Sequence, residues 1–272
     1  MLTAEVQYIA EGEERPVYYA SSAGRNATFT VNRGLTAYDV DVRDARDTGT
    51  DFGSENMGQP DIGFKLIQHS SAVKNFLDSD EISGTYEAEI ESILKSLTGA
   101  IRVHIFDHTV RASDPELREQ KQIREPATLV HNDYTPKSGY VCLDENLGDD
   151  AERLAKGRFQ IINLWRPLVN PVQNFPLVMC DARTVGTSDV VPTERRAPNH
   201  IGEILLATHN PAHRWYYFSN MTSDEVLVFK TFDSENAGRT PGSIHTSIDV
   251  LGVSPDTPPR ESIETRAFVF YD

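Results

Sequence analysis

From residue 101 onward the chain runs as short apolar, β-branched and aromatic stretches closed by turn residues. That succession restricts its fold more than anything else in it. IRVHIFDHTV, ATLVHNDYT, YVCL, FQIINLWRPL and PLVMCDART read as strands, as do EILLATH, HRWYYFSN, DEVLVFKTF and RESIETRAFVFYD. Many short strands at near-regular spacing predict a mainly β protein, a sandwich or open barrel with flanking helices on one side.

Upstream, AEVQYIAEGEERPVYYA alternates as a pair of strands around a polar turn. Residues 22–62 are polar and Gly-rich and read as an irregular arm, with DFGSENMGQP as turn chemistry throughout. SSAVKNFLDSD and SGTYEAEIESILKSLTG read as helices. In the second, Tyr86, Ile90, Ile93, Leu94 and Leu97 share one face and Gly99 stands at the C-cap. A further helix is predicted over DENLGDDAERLAKG, with Asp144 as N-cap. No repeat or linker divides the chain. One domain over residues 1–272 is expected, residues 1–100 packing strands, arm and helices on a core formed by 101–272.

Charge and cysteine content narrow the function. A net charge of −15 argues against nucleic acid and anionic membrane surfaces as partners. Cys142 and Cys180 make neither a disulfide framework nor a four-thiol zinc site, and they suit a reduced compartment. No basic leader precedes an apolar run, and no stretch approaches the ~20 apolar residues of a membrane span. The expected location is cytoplasmic.

Chemistry is carried by VHNDYT and GSIHTS. Residues i and i+2 of a strand project from one face, so His131 and Asp133 can address one metal while Asn132 points away. His245 supplies a third ligand if the fold brings a distant strand alongside. Two His and one carboxylate hold a non-haem Fe(II) by one face and leave the other positions open. Each His alone has an ordinary alternative, a hydrogen-bonded structural imidazole. An iron oxygenase that consumes 2-oxoglutarate must also hold that molecule's far carboxylate, which suits a guanidinium with a hydroxyl beside it. Arg260, Ser262 and Arg266 share one face of the last strand, and either arginine has the reach; a surface pairing with Glu261 or Glu264 is the alternative.

The ordered set FDHTVR, VHNDYT, INLWRPL, NPVQNFPLVMCDART, HRWYYFSNMTSDEVLVFKTFDS and PPRESIETRAFVF resembles one family. It is similar to the fungal and bacterial 2-oxoglutarate-dependent oxygenases of the gibberellin desaturase and cephamycin 7-hydroxylase type, many of them enzymes of secondary metabolism. The resemblance spans residues ~100 to 272 and implies a double-stranded β-helix (jelly-roll) core. It further implies Fe(II), 2-oxoglutarate and O₂, with succinate and CO₂ released as a small molecule is hydroxylated, desaturated or rearranged. His131, Asp133 and His245 match the family's metal ligands, and Arg260 or Arg266 its cosubstrate anchor.

Several other residues fall near these motifs. Arg166 is a further candidate for the cosubstrate, with a strand-end ion pair as its ordinary role. Asn163, Trp165 and Tyr140 are candidates for the substrate pocket. Trp215, Tyr216 and Tyr217 read mostly as core. His104, Asp107 and His108 read as structural or supporting, because i, i+4 spacing suits a helix and not a strand. GxSxG, P-loop, GxGxxG and HExxH motifs are absent. Two rivals stand beside the oxygenase reading: a supporting subunit of a heterodimeric oxygenase, and a cupin-like metalloenzyme without 2-oxoglutarate. A homo- or heterodimer with a related oxygenase stands as a separate expectation about partners.

Overall fold

A computed structural model describes residues 1–20, 22–47, 62–235, 242–254 and 256–271. Its first strands are β1 (Leu2–Ile9), β2 (Val17–Ala20), β3 (Phe29–Val31), β4 (Leu35–Asp44) and β5 (Phe64–Gln68). After a helical block come β6 (Arg102–Ala112), β7 (His131–Asn132), β8 (Phe159–Pro167), β9 (Leu177–Cys180) and β10 (Val190–Ala197). The last are β11 (His200–Ala207), β12 (Trp215–Tyr217), β13 (Glu225–Asp233), β14 (His245–Ser247) and β15 (Glu261–Phe270).

These strands form two sheets. One has five strands in the order β5-β13-β8-β15-β6; the other has ten, in the order β1-β4-β12-β9-β14-β7-β11-β10-β2-β3. Side-chain alternation gives the smaller sheet two apolar faces. Its inner face sets Trp165, Leu227 and Phe229 against Leu177, Met179 and Tyr216 of the larger sheet. Its outer face, with Ile162, Leu164, Val226, Val228 and Ile263, receives the helix Glu87–Thr98. Ile90 and Leu94 of that helix are fully buried there, each worth roughly 1.5–3 kcal/mol of transfer free energy. Gly99 ends the helix in the left-handed conformation, φ 73°. The fold is mainly β with flanking helices, a double-stranded β-helix.

Several local expectations are corrected. Part of the presumed arm is β4, which pairs with β1 along that whole strand and with β12 on its other side. Its side chains are mostly exposed, so backbone pairing and not an apolar face makes it a strand. DFGSENMGQP lies outside the described residues. β1 and β2 do not pair with each other, since β2 lies between β10 and β3. Residues 70–78 are not helical; the Asp78 carboxylate caps the helix that begins at Ser79. YVCL lies within the helix Ser138–Leu147, a short apolar run whose period did not distinguish helix from strand. Asp144 is interior to that helix and caps nothing. The segment that follows is a short 3₁₀ turn, Gly148–Asp150, and the one-turn helix Ala151–Leu154.

Candidate active site

Two neighbouring strands of the larger sheet build the site. β7 pairs with both β11 and β14, and its His131 stands directly opposite His245. Residues directly opposite in a ladder have their Cβ atoms ~5 Å apart, and the two imidazole centroids are 4.4 Å apart. Asp133 follows β7, with Oδ1 3.5 Å from His131 Nε2. One ligand atom from each of His131, Asp133 and His245 lies within 4.8 Å of the others, the one such cluster among the described residues.

Hydrogen bonds on the far side of each group aim it. His131 Nδ1 meets the Leu129 carbonyl at 2.8 Å, and His245 Nδ1 meets that of Ser243 at 3.1 Å. Donation to those carbonyls leaves a lone pair on each Nε2. Asp133 Oδ2 accepts from Asn163 Nδ2 at 2.8 Å and from Arg266 Nε at 2.9 Å, which leaves Oδ1 toward the imidazoles. Burial alone would raise the Asp133 pKa, but Arg266 and the two imidazoles hold it well below the usual carboxylate range. Burial, with the neighbouring His131, lowers His245 to about 4, so it is neutral at pH 7. Two imidazoles and one carboxylate fit a divalent metal.

Arg266 projects from the inner face of β15 and Arg260 immediately precedes that strand, and the two have different surroundings. Arg266 is engaged by three carboxylates: Asp133, Glu264 at 2.7 Å, and Asp107. Burial would lower its pKa, yet those acids raise it above the ordinary arginine value. Arg260 is 2% exposed, and no carboxylate lies within ion-pair distance of it among the described residues. Its donors go to neutral oxygens: Ser262 Oγ at 2.9 and 3.2 Å, the Phe175 carbonyl at 2.9 Å, and Ser247 Oγ. Burial, and then the charge of Arg111, lowers its pKa to about 9. Its guanidinium lies 5.1 Å from the centre of the Trp165 ring, whose buried Nε1 has no hydrogen-bond partner. Ser247 follows His245 by two residues along β14, so Arg260 is reached about 7 Å along the strand from that imidazole. A buried cation without an anion, beside an orphaned N–H, fits a carboxylate ligand.

The remaining candidates separate by face. Asn163 lies behind Asp133 and not in a pocket; its amide also meets Glu264 and Thr231. Arg166 is on the outer face of β8, held by Tyr86, His69 and the Ser223 carbonyl, so strand alternation removes it from the site. Tyr140 is 42% exposed and rests on Phe159 and Phe232, away from the triad. Trp215 and Tyr216 are buried. His108 bonds Thr265 and Glu87, whereas Asp107 reaches Arg266. Glu264 and Thr109 were missed as site support, whereas Asp107 was expected as structural or supporting; all three meet Arg266. His131, Asp133 and Arg266 open onto a cavity of about 410 Å³, a size common for small-molecule sites.

Comparison with known proteins agrees with this geometry. A family model described as an oxidoreductase/YMDC permease-like domain matches residues 6–270. The Fe(II)/2-oxoglutarate-dependent dioxygenase nvfI of Aspergillus novofumigatus is 32% identical over 265 residues, covering 95% of this chain and 92% of that protein. The hydroxylase/desaturase efuI of Hormonema carpetanum is 33% identical over 257 residues, covering 86% of this chain and 83% of that one. Among solved structures, the iron and alpha-ketoglutarate-dependent endoperoxidase NvfI is similar, with a TM-score of 0.83 and 28% identity. That match covers 99% of this chain and 98% of the other.

Proposed function

The chain belongs to the Fe(II)/2-oxoglutarate-dependent dioxygenases, and on that premise we propose that it oxidises a small organic molecule at a C–H bond. Its cosubstrates are 2-oxoglutarate and O₂, and succinate and CO₂ leave with the oxidised product. We assign His131, Asp133 and His245 as the Fe(II) ligands; the observation that carries this is the convergence of their three ligand atoms beside the cavity. Bound iron supplies the O₂-activating, oxidising chemistry.

The chain's own residues do the positioning. Leu129 and Ser243 carbonyls orient the imidazoles, and Asn163 with Arg266 holds Asp133 ionised with one oxygen free. Arg260, supported by Ser262 and Ser247, is assigned to the far carboxylate of 2-oxoglutarate, with Trp165 Nε1 as a further donor. Arg266 is committed to three acids and serves the metal ligand instead.

We further infer one catalytic unit over residues 1–272, supported by β4 and β5 lying within the two sheets. No helix among the described residues is long and apolar enough to cross a membrane. The two free cysteines support a cytoplasmic location. The test is succinate formation from 2-oxoglutarate by anaerobically Fe(II)-loaded protein given O₂, with His131→Ala in parallel. Iron-dependent succinate that disappears in the variant is expected. Equal succinate from the variant, or none from a wild type that also fails to bind iron, would overturn the reading.

A further inference from the structure

The cavity beside the triad has a second charged sector that the iron and cosubstrate assignments leave unused. In a chain of net charge −15, three arginines, Arg111, Arg124 and Arg195, line one cavity together with Tyr18. Strand pairing brings them together. Arg111 and Arg124 are partners in an isolated bridge, and Arg195 of β10 is in register with Tyr18 of β2. Tyr18 feels all three: burial raises its pKa, while the charges of Arg111, Arg195 and Arg124 oppose that rise. Burial also lowers the pKa of Arg195, with Arg124 next in effect.

The acids that line this cavity are mostly engaged elsewhere. Asp107 and Asp133 pair with Arg266, Glu203 with Arg15 and Thr135, and Glu145 with His200. Among the described residues that line the cavity, Glu125 remains beside Tyr18, and its buried Oε2 has no hydrogen-bond partner. Arg111 donates to the Glu125 backbone carbonyl, a neutral oxygen. Arg195 has no carboxylate within ion-pair distance among the described residues. Arg195 also feels the like charges of Arg124 and Arg266, and an anionic group placed beside it relieves that repulsion.

The geometry points to a substrate that carries a carboxylate, docked on Arg195, Arg111 and Arg124 with Tyr18 beside it, while its reacting carbon faces the His131 and Asp133 end of the same cavity. This rests on the oxygenase reading, under which the cavity is the substrate's. The anchor would orient the substrate by one fixed point, and a guanidinium offers a carboxylate two parallel donors.

The test uses a matched pair of probes, 2-naphthoate and 2-naphthamide, titrated calorimetrically into protein holding Fe(II) and saturating 2-oxoglutarate under anaerobic conditions. The acid is expected to bind about 10- to 100-fold more tightly than the amide, the range for hydrogen bonds to a charged group. Arg195→Gln should remove most of that preference, and Arg195→Lys should keep part of it. The acid-to-amide ratio of the wild type tests the idea even if the glutamine variant fails to fold. Equal binding of acid and amide overturns the inference, as does a preference untouched in a folded Arg195→Gln protein. Displacement of naphthoate by excess 2-oxoglutarate also overturns it, because the cluster would then be the cosubstrate's. Failure of the protein to bind iron or 2-oxoglutarate sinks the oxygenase reading separately, and the same ratio measured on metal-free protein still reports on the arginine sector.

Discussion

Arg260→Met separates the two candidate arginines, Arg260 and Arg266, more sharply than any other change. In the ligand-free protein, the fall of the Arg260 pKa from the ordinary arginine range to about 9 corresponds to roughly 5 kcal/mol, chiefly unfavourable burial of its charge. Its charged donors reach three neutral oxygens, with Ser262 Oγ accepting twice, and at about 1.5 kcal/mol per oxygen, the low end for a charged hydrogen bond, these return a similar amount. The variant loses both contributions, which nearly cancel, and a methionine fills much of the same volume. Its metal-free stability should therefore lie within about 2 kcal/mol of wild type. Binding of 2-oxoglutarate has no such cancellation. Loss of a two-pronged contact to a carboxylate, at about 1.5–3 kcal/mol for a charged hydrogen bond, predicts at least a tenfold to hundredfold weaker Kd. Anaerobic calorimetric titration of 2-oxoglutarate into Fe(II)-loaded protein measures the second quantity, and urea unfolding the first. A folded Arg260→Met protein whose 2-oxoglutarate Kd stays within threefold of wild type would refute the assignment of this residue.

Arg266→Met should behave in the opposite way. It strands Asp107, Asp133 and Glu264 without their shared cation, so about 3–5 kcal/mol of stability should be lost along with iron stoichiometry, read by thermal melting and metal analysis; a variant as stable as wild type would contradict the network. Asn163→Leu removes one of the two donors on Asp133 Oδ2 and should weaken Fe(II) binding about 10- to 100-fold, measured by competition with a chelator. Burial lowers the pKa of His69, His104, His213 and His245 below the ordinary 6.5. Each stays neutral in the folded state while the unfolded chain protonates, so metal-free stability is full above about pH 6.5 and falls as pH drops, for His245 until about 4. A urea midpoint unchanged between pH 7 and 5 would contradict this, and His213→Gln should make the slope shallower.

The triad and the fold class were legible for one reason: both depend on period-2 alternation and on residue types with few substitutes. The inward face of β15, from Ser262 to Arg266, with Arg260 just before it, could be read for the same reason. What separated the arginines could not. It depends on Asp107 arriving from β6 and Asp133 from the opposing sheet, contacts across sequence that no local pattern announces. Arg166 misled because it adjoins Trp165 in the chain, whereas adjacent strand residues face opposite ways. YVCL misled because four apolar residues fit either period, and Gly139 within that helix sits where a Cβ would meet the Phe232 ring at 2.3 Å. β4 escaped because its side chains are mostly exposed and its order comes from backbone pairing.

The two arginines also explain why a buried cation stays unpaired on this face. A protein optimised for stability alone would give Arg260 an acid, as it gives Arg266 three. On the proposed assignment, such an acid would cancel the charge offered to the cosubstrate and would repel the cosubstrate's carboxylate. Arg266 shows the converse: with Asn163 it holds one oxygen of Asp133, so that on the proposed assignment the other can face the metal. Under the proposed roles, Arg266 satisfies its charge within the fold and makes the metal site rigid, while Arg260 has its charge satisfied only by a ligand. Cosubstrate binding should then stabilise the protein by more than its contact area suggests, because it also relieves the burial of that charge. Since this gain depends on Arg260, the rise in Tm produced by 2-oxoglutarate should shrink in Arg260→Met by at least as large a share as the binding free energy does.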